Sequence, residues 1–191
     1  MRAIEDLIAE HRGIERMLNI LEEVADRLDA GRRVERNDMA AMLEFIQVFA
    51  DRCHHAKEED LLFPAMASMG ISQEGGPIGV MLHEHGVGRE HVREMAGALA
   101  GAADGGRAAS QAFSEHARAY AQLLRQHIDK EDHVLYPLAE RLLGREEDER
   151  LYEGFERVET DVIGAGRHEE FHRLLDRLEE TYLGGAAEAT H

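Results

Sequence analysis

Two histidines, each followed four residues later by a glutamate, are the residues of this chain best suited to chemistry. They are His54 with Glu58 in HHAKEEDLLFP, and His127 with Glu131 in HIDKEDHVLYP. The second stretch begins 73 residues after the first and shares His54/His127, Lys57/Lys130, Glu58/Glu131, Leu62/Leu135 and Pro64/Pro137 with it. Side chains four apart lie on one face of a helix, a turn above each other, so each histidine projects together with its glutamate. The same offset, within one residue, aligns Glu10-His11 with Glu84-His85. His11 sits in an apolar seam between Leu7 and Ile14, and His85 in one with Ile78, Leu82, Val92 and Leu99. A single inward histidine is ordinary in a helical core, and EExxL patterns usually face water. A duplicated His-x-x-x-Glu with its apolar-proline ending intact is neither.

Four histidines and two glutamates aimed into one interior call for cations. A buried carboxylate is costly without compensating charge, and two together raise each other's pKa. A pair of divalent or trivalent ions answers both difficulties. Each ion would take two of His11, His54, His85 and His127, while Glu58 and Glu131 bridge, giving four protein ligands per ion and room for solvent or a small diatomic ligand. Imidazole with carboxylate suits iron, manganese or zinc, and a site with open positions is most natural for non-haem iron.

Helices must position these groups. Residues 4, 7, 11, 14, 18, 21, 25 and 28 recur at the three-four spacing of an amphipathic helix, which Gly31 ends like a C-terminal cap. Asn37 and Asp38 are candidate caps for a second helix from about 38 to 66. After a glycine-rich loop at 68–77, Pro77 opens a third helix reaching about 102, and a fourth spans about 107 to 143. Two shorter helical patterns follow, near 146–162 and 167–182, before a tail expected to fray. No segment alternates with period two. The expected fold is all-α: an up-down-up-down four-helix bundle over 1–143 with a C-terminal helical extension over 144–191. Pro64 and Pro137 fall near helix ends, so the apolar-proline endings read as a lid and a stop.

Composition narrows the partners. A net charge of −17 repels phosphate backbones and anionic lipid headgroups, which argues against nucleic acid and membrane. The one cysteine, Cys53, forbids an intrachain disulfide and fits a reducing cytoplasm. No run approaches the length of a membrane span.

With His11, His54-x-x-x-Glu58, His85 and His127-x-x-x-Glu131 in hand, the chain resembles the hemerythrin-like HHE cation-binding domain family over roughly 1–143. The resemblance implies a four-helix bundle holding an oxo- or hydroxo-bridged di-iron centre that meets O2, NO or peroxide. Oxygen-carrying members have His-x-x-x-His on the third helix, where this chain has Arg89 after His85, and they end in His-x-x-x-x-Asp. Here both Glu131 and Asp132 are available, and Glu131 matches Glu58 within the repeat. Candidates for the absent fifth histidine are His55, His91, His168 and His172. An ideal helix turns His55 about 100° away from His54, so it is expected to face outward or cap the edge of the site. Tyr120, on the face of His127, is either core or a hydrogen-bond partner for a bound ligand. Glu10 and Glu84 are candidates to orient the ligands, and Cys53 reads as a small buried residue.

The expected function is a cytoplasmic non-haem di-iron protein that binds a diatomic or peroxide ligand for sensing, buffering or detoxification. Whether it turns such a ligand over is left open. The alternative is a metal-stabilised helical interaction module whose cation is structural.

Overall fold

A computed structural model describes residues 1–164 and 166–184, and every regular element among them is helical. Helix α1 runs Arg2–Asp29, α2 covers 36–68, α3 is Gly76–Ala103, α4 covers 107–142, α5 covers 145–163, and α6 is Arg167–Tyr182. The tail from 185 onward lies outside the described residues.

The inward seam of α1 is buried as expected, from Ile4 and Leu7 through Ile14, Leu18, Leu21 and Ala25 to Leu28. Gly31, at φ +68°, ends the helix: its N–H donates to Leu28 O and that of Arg32 reaches back to Arg27 O at 2.8 Å. A left-handed residue closing the last turn in this way is what glycine permits. The start of α2 differs from expectation. It begins at Arg36 with no side-chain cap. Asp38 instead accepts hydrogen bonds from the Tyr182 hydroxyl at 2.7 Å and Arg177 at 2.8 Å, which ties α2 to the last helix.

Neither α2 nor α4 is wound uniformly. Ile46–His55, Glu58–Leu62 and Glu131–Leu135 are π-helical, and α-helix resumes at Phe63–Ser68 and Tyr136–Leu142. Pro64 and Pro137 therefore do not stop their helices. Proline lacks the N–H that bonds four residues back and crowds the carbonyl there. In both copies of the repeat the turn before the proline is wound with the wider i→i+5 spacing, a feature that tends to occur at functional sites. That turn carries the glutamate.

Apolar side chains form two clusters. One holds Ile14 to Leu28, Met39 to Ala50, Met95, Phe113 to Ile128, and Phe171, Leu175, Leu178 and Tyr182 from α6. The other holds Ala3 to Leu7, Leu62 to Met66, Ile78, Met81, Leu135 to Ala139, and Leu151 and Phe155 from α5. Buried polar residues lie between them along each of the four long helices: Glu10 and His11, His54 to Glu58, His85, and His127 and Glu131. The core is thus interrupted by a polar layer, and both C-terminal helices contribute to its apolar flanks.

Candidate metal centre

The four histidines of the repeat present the same atom to the middle of this layer. His11 Nε2 lies 2.9 Å from His54 Nε2, and His85 Nε2 lies 3.0 Å from His127 Nε2. Each opposite nitrogen, Nδ1, is held by a carboxylate. Glu10 takes His54 at 2.9 Å, Glu84 takes His127 at 2.9 Å, Asp132 takes His11 at 2.7 Å and Glu59 takes His85 at 2.6 Å. Such a partner fixes the proton on Nδ1 and leaves Nε2 as a lone pair, the usual support of a metal-binding imidazole. The pattern follows the repeat. The glutamate before the first histidine holds the second histidine of its own half, and the acid after the central glutamate holds the first histidine of the other half.

Glu58 and Glu131 lie between the two nitrogen pairs. Glu131 oxygens are 3.2 Å from His11 Nε2 and 3.1 Å from His127 Nε2, one from each pair. Glu58 Oε2 is 3.8 Å from His54 Nε2 and 3.5 Å from His85 Nε2. Despite this proximity, Glu58 Oε2 and both Glu131 oxygens are buried without a hydrogen-bond partner. Facing lone pairs and orphaned carboxylate oxygens require protons or cations between them.

Without cations, protons must fill that role. Burial pulls the imidazoles of His11 and His127 down, but the surrounding carboxylates outweigh it, holding His11 above its ordinary value and His127 up to about 9. Burial keeps His54 well below the usual range and lowers His85. In each nitrogen pair one ring is therefore shifted up and its partner down. Burial, followed by the Glu131 charge, pushes the Glu58 carboxyl well up; Glu131 is held well down because His127 and His11 overcome its burial.

The spacing fits metal ions as well. Two nitrogens at right angles on one ion with bonds of about 2.0–2.1 Å sit about 2.9 Å apart, while a tetrahedral angle spreads them to about 3.3 Å. The observed 2.9 and 3.0 Å are compatible with one ion between each pair, and equally with a proton shared by the two nitrogens. His11, His54 and Glu131 bring ligand atoms within 4.8 Å of one another, as do His55, Glu58, His85 and His127. Two histidines and a carboxylate with open positions is a donor set suited to non-haem iron.

All six residues singled out by the repeat are thus brought together, and Asp132 sits behind His11 rather than in the centre. His55 differs from expectation. It is 4% exposed, faces the interior, stacks on His85 at 3.9 Å between ring centroids, and has an orphaned Nε2. His54 and His55 both lie in the π-wound stretch Ile46–His55, and both are buried. Arg89, standing where a histidine was absent, donates to Glu59 and Asp51, both at 2.8 Å. His91 pairs with His116 at 3.0 Å outside the layer. His168 stacks with His172 and lies near Glu159, also outside it. Cys53 is buried beside Glu10, and burial pushes its thiol up.

Two contributors were missed. The fully buried Tyr136 hydroxyl donates to Glu58 Oε1 at 2.7 Å and lies 3.3 Å from His11 Nε2. The proline ending is therefore not only a lid, and the Phe63/Tyr136 difference inside the repeat was the available signal. The fully buried Lys57 ammonium donates to Glu10 at 2.7 Å, Asp6 at 2.9 Å and Glu159 at 2.6 Å. Its shared position in both copies pointed to it.

Comparison with known proteins agrees with this geometry. Residues 2–139 match the hemerythrin HHE cation binding domain, and the chain belongs to that family of cation-binding proteins. Among individual relatives, it is 26% identical over 176 residues to Uncharacterized protein Rv1995 of Mycobacterium tuberculosis (strain ATCC 25618 / H37Rv), covering 92% of this chain and 67% of the relative. Uncharacterized protein Mb2018 of Mycobacterium bovis matches to the same extent. No solved structure gives a significant match. No helix among the described residues is long and apolar enough to cross a membrane.

Proposed function

We propose that residues 1–143 form an up-down-up-down four-helix bundle holding two non-haem iron ions, with 144–191 packed on it as an extension. In this reading the centre receives O2, NO or a peroxide in the cytoplasm, for sensing, buffering or detoxification. His11 and His54 serve one ion, His85 and His127 the other, and Glu58 and Glu131 span both. The observation that carries the reading is the pair of facing Nε2 atoms at 2.9 and 3.0 Å with unpartnered carboxylate oxygens between them.

Bound iron would supply open coordination positions and electrons to a small oxidant or to NO. The chain's own residues do the rest. Four carboxylates keep the imidazoles in one tautomer, so the site is ordered before a metal arrives. Burial, together with the charges of Glu58 and Glu131, keeps the Tyr136 phenol protonated, so it remains a donor to Glu58. The two apolar clusters limit water around the centre, which strengthens every charge interaction there. A mixed imidazole-carboxylate set with open positions supports non-haem iron, with manganese and zinc as the other ions it suits.

Metal analysis and optical spectroscopy test this. Protein loaded anaerobically with ferrous ion should hold two ions per chain and develop a visible or near-ultraviolet absorption band on exposure to O2, NO or peroxide. Glu58→Ala and Glu131→Ala should each lower the stoichiometry. Two ions retained in both variants would sink the bridging assignment. Full loading with no spectral response would leave a structural cation instead.

A further inference from the structure

Among the described residues, His55 Nε2 is the one buried side-chain nitrogen without a hydrogen-bond partner. A cleft of about 350 Å³, walled by Gln47, Asp51, Arg89, Arg93 and Tyr120, reaches the ring from outside. It does not reach Nε2, which is closed to solvent on a residue only 4% exposed. The ring stacks on His85 at 3.9 Å, and its centroid is 5.9 Å from that of His127. His55, Glu58, His85 and His127 bring ligand atoms within 4.8 Å of one another, and all four residues are buried. A buried polar atom without a partner calls for an ion or ligand that the neighbouring side chains do not supply.

The other edge of the ring repeats the support given to the four central histidines. His55 Nδ1 faces Asp51 at a longer 3.4 Å, as the Nδ1 atoms of His11, His54, His85 and His127 face Asp132, Glu10, Glu59 and Glu84. A carboxylate can only accept, so the proton sits on Nδ1 and Nε2 keeps its lone pair. Arg89 braces this end from behind. It donates to Asp51 and to Glu59, both at 2.8 Å, and so steadies the carboxylates behind the two stacked rings. At the His11–His54 end the extra neighbour is instead Tyr136, whose hydroxyl is committed to Glu58 at 2.7 Å.

We propose that His55 Nε2 is a fifth imidazole ligand, joining His85 and His127 on one ion, so that the two metal positions are unequal. Three imidazoles hold one ion beside the spanning carboxylates, and His11 and His54 hold the other. The third imidazole makes the His85–His127 position the tighter of the two, and it fills first. The proposal rests on the di-metal reading and adds a ligand to it.

Titration with cobalt(II), followed by proton NMR, tests it without redox chemistry. An imidazole bound to cobalt through Nε2 shows a strongly shifted, exchangeable Nδ1–H signal. The chain should take up two ions in two steps and show five such signals, three of them with the first ion. His55→Phe, which keeps the stack on His85, should leave four. Asp51→Ala, a change at a partly exposed position, should weaken the tighter step about 10- to 100-fold, the usual effect of removing the group behind a ligand. That variant keeps the test open where His55→Phe does not fold. Two ions with four signals in the unaltered chain, or five signals in His55→Phe, would overturn the fifth ligand and leave the di-metal reading standing. One ion with three signals, one of them lost in His55→Phe, would keep the ligand and remove the second ion. Absence of any shifted imidazole signal would remove both.

Discussion

The two halves of the repeat place the same residues at the centre and surround them differently. His54 is held by Glu10, and Glu10 by a Lys57 ammonium that is fully buried and also grips Asp6 and Glu159. His127 is held by Glu84, and Glu84 by Lys130, whose side chain is 37% exposed. The C-terminal segment accounts for the contrast: Glu159 belongs to α5, which covers the first half and leaves the second to solvent. On the other axis, His55 of the first copy has Ile128 as its counterpart, and Tyr136 of the second copy has Phe63. One nitrogen pair therefore neighbours a phenol, the other a third imidazole and a cleft. A duplicated sequence has supplied a symmetric cage whose two ends differ in access.

The largest effect should come from testing the buried lysine against its exposed twin. Lys57→Ala leaves Glu10 buried without its counter-charge, a change that costs about 3–5 kcal/mol, whereas Lys130→Ala removes a surface pair worth about 0–1 kcal/mol. Urea denaturation of the two variants should show that ranking, and equal losses would erase the distinction between halves. Next in size, Tyr136→Phe makes the halves alike at that position. It strips Glu58 of its donor and should cost about 1–3 kcal/mol in metal-free protein, seen as a lower urea midpoint at unchanged slope. An unchanged midpoint would show that the hydroxyl bond contributes nothing.

The smallest effect is in protons. In metal-free protein His127 is held up to about 9 and Glu58 well above the usual carboxylate range, so each carries a proton that a metal must displace. Loading near neutral pH should release protons, and affinity should fall as pH drops. Raising pH through about 9 should remove the His127 share first lost by the free protein. A pH-stat titration checks this, and metal uptake without proton release at pH 7 would contradict it.

Much of this was legible in the sequence. The seam of α1, the glycine cap at Gly31 and the duplicated His-x-x-x-Glu follow from local periodicity, and the structure gathers all six central residues. What escaped depends on winding and on long-range pairing. The burial of His55 beside His54 falls in a π-wound stretch, a winding that has no simple residue code. Lys57 reads as a surface lysine until α5 is laid over it, since its partner Glu159 is 102 residues away. Asp38 reads as a helix cap until the Tyr182 hydroxyl takes it.

The polar layer between the two apolar clusters has a consequence for the life of the chain. A core split by a slab of charged and orphaned groups has a fault plane at its middle, and an ion bound there is linked by mass action to folding itself, adding RT ln(1 + [L]/Kd) to the stability. The free energy of unfolding would then rise with free metal concentration, so the resistance of the chain to urea would report on the ion as well as on the core.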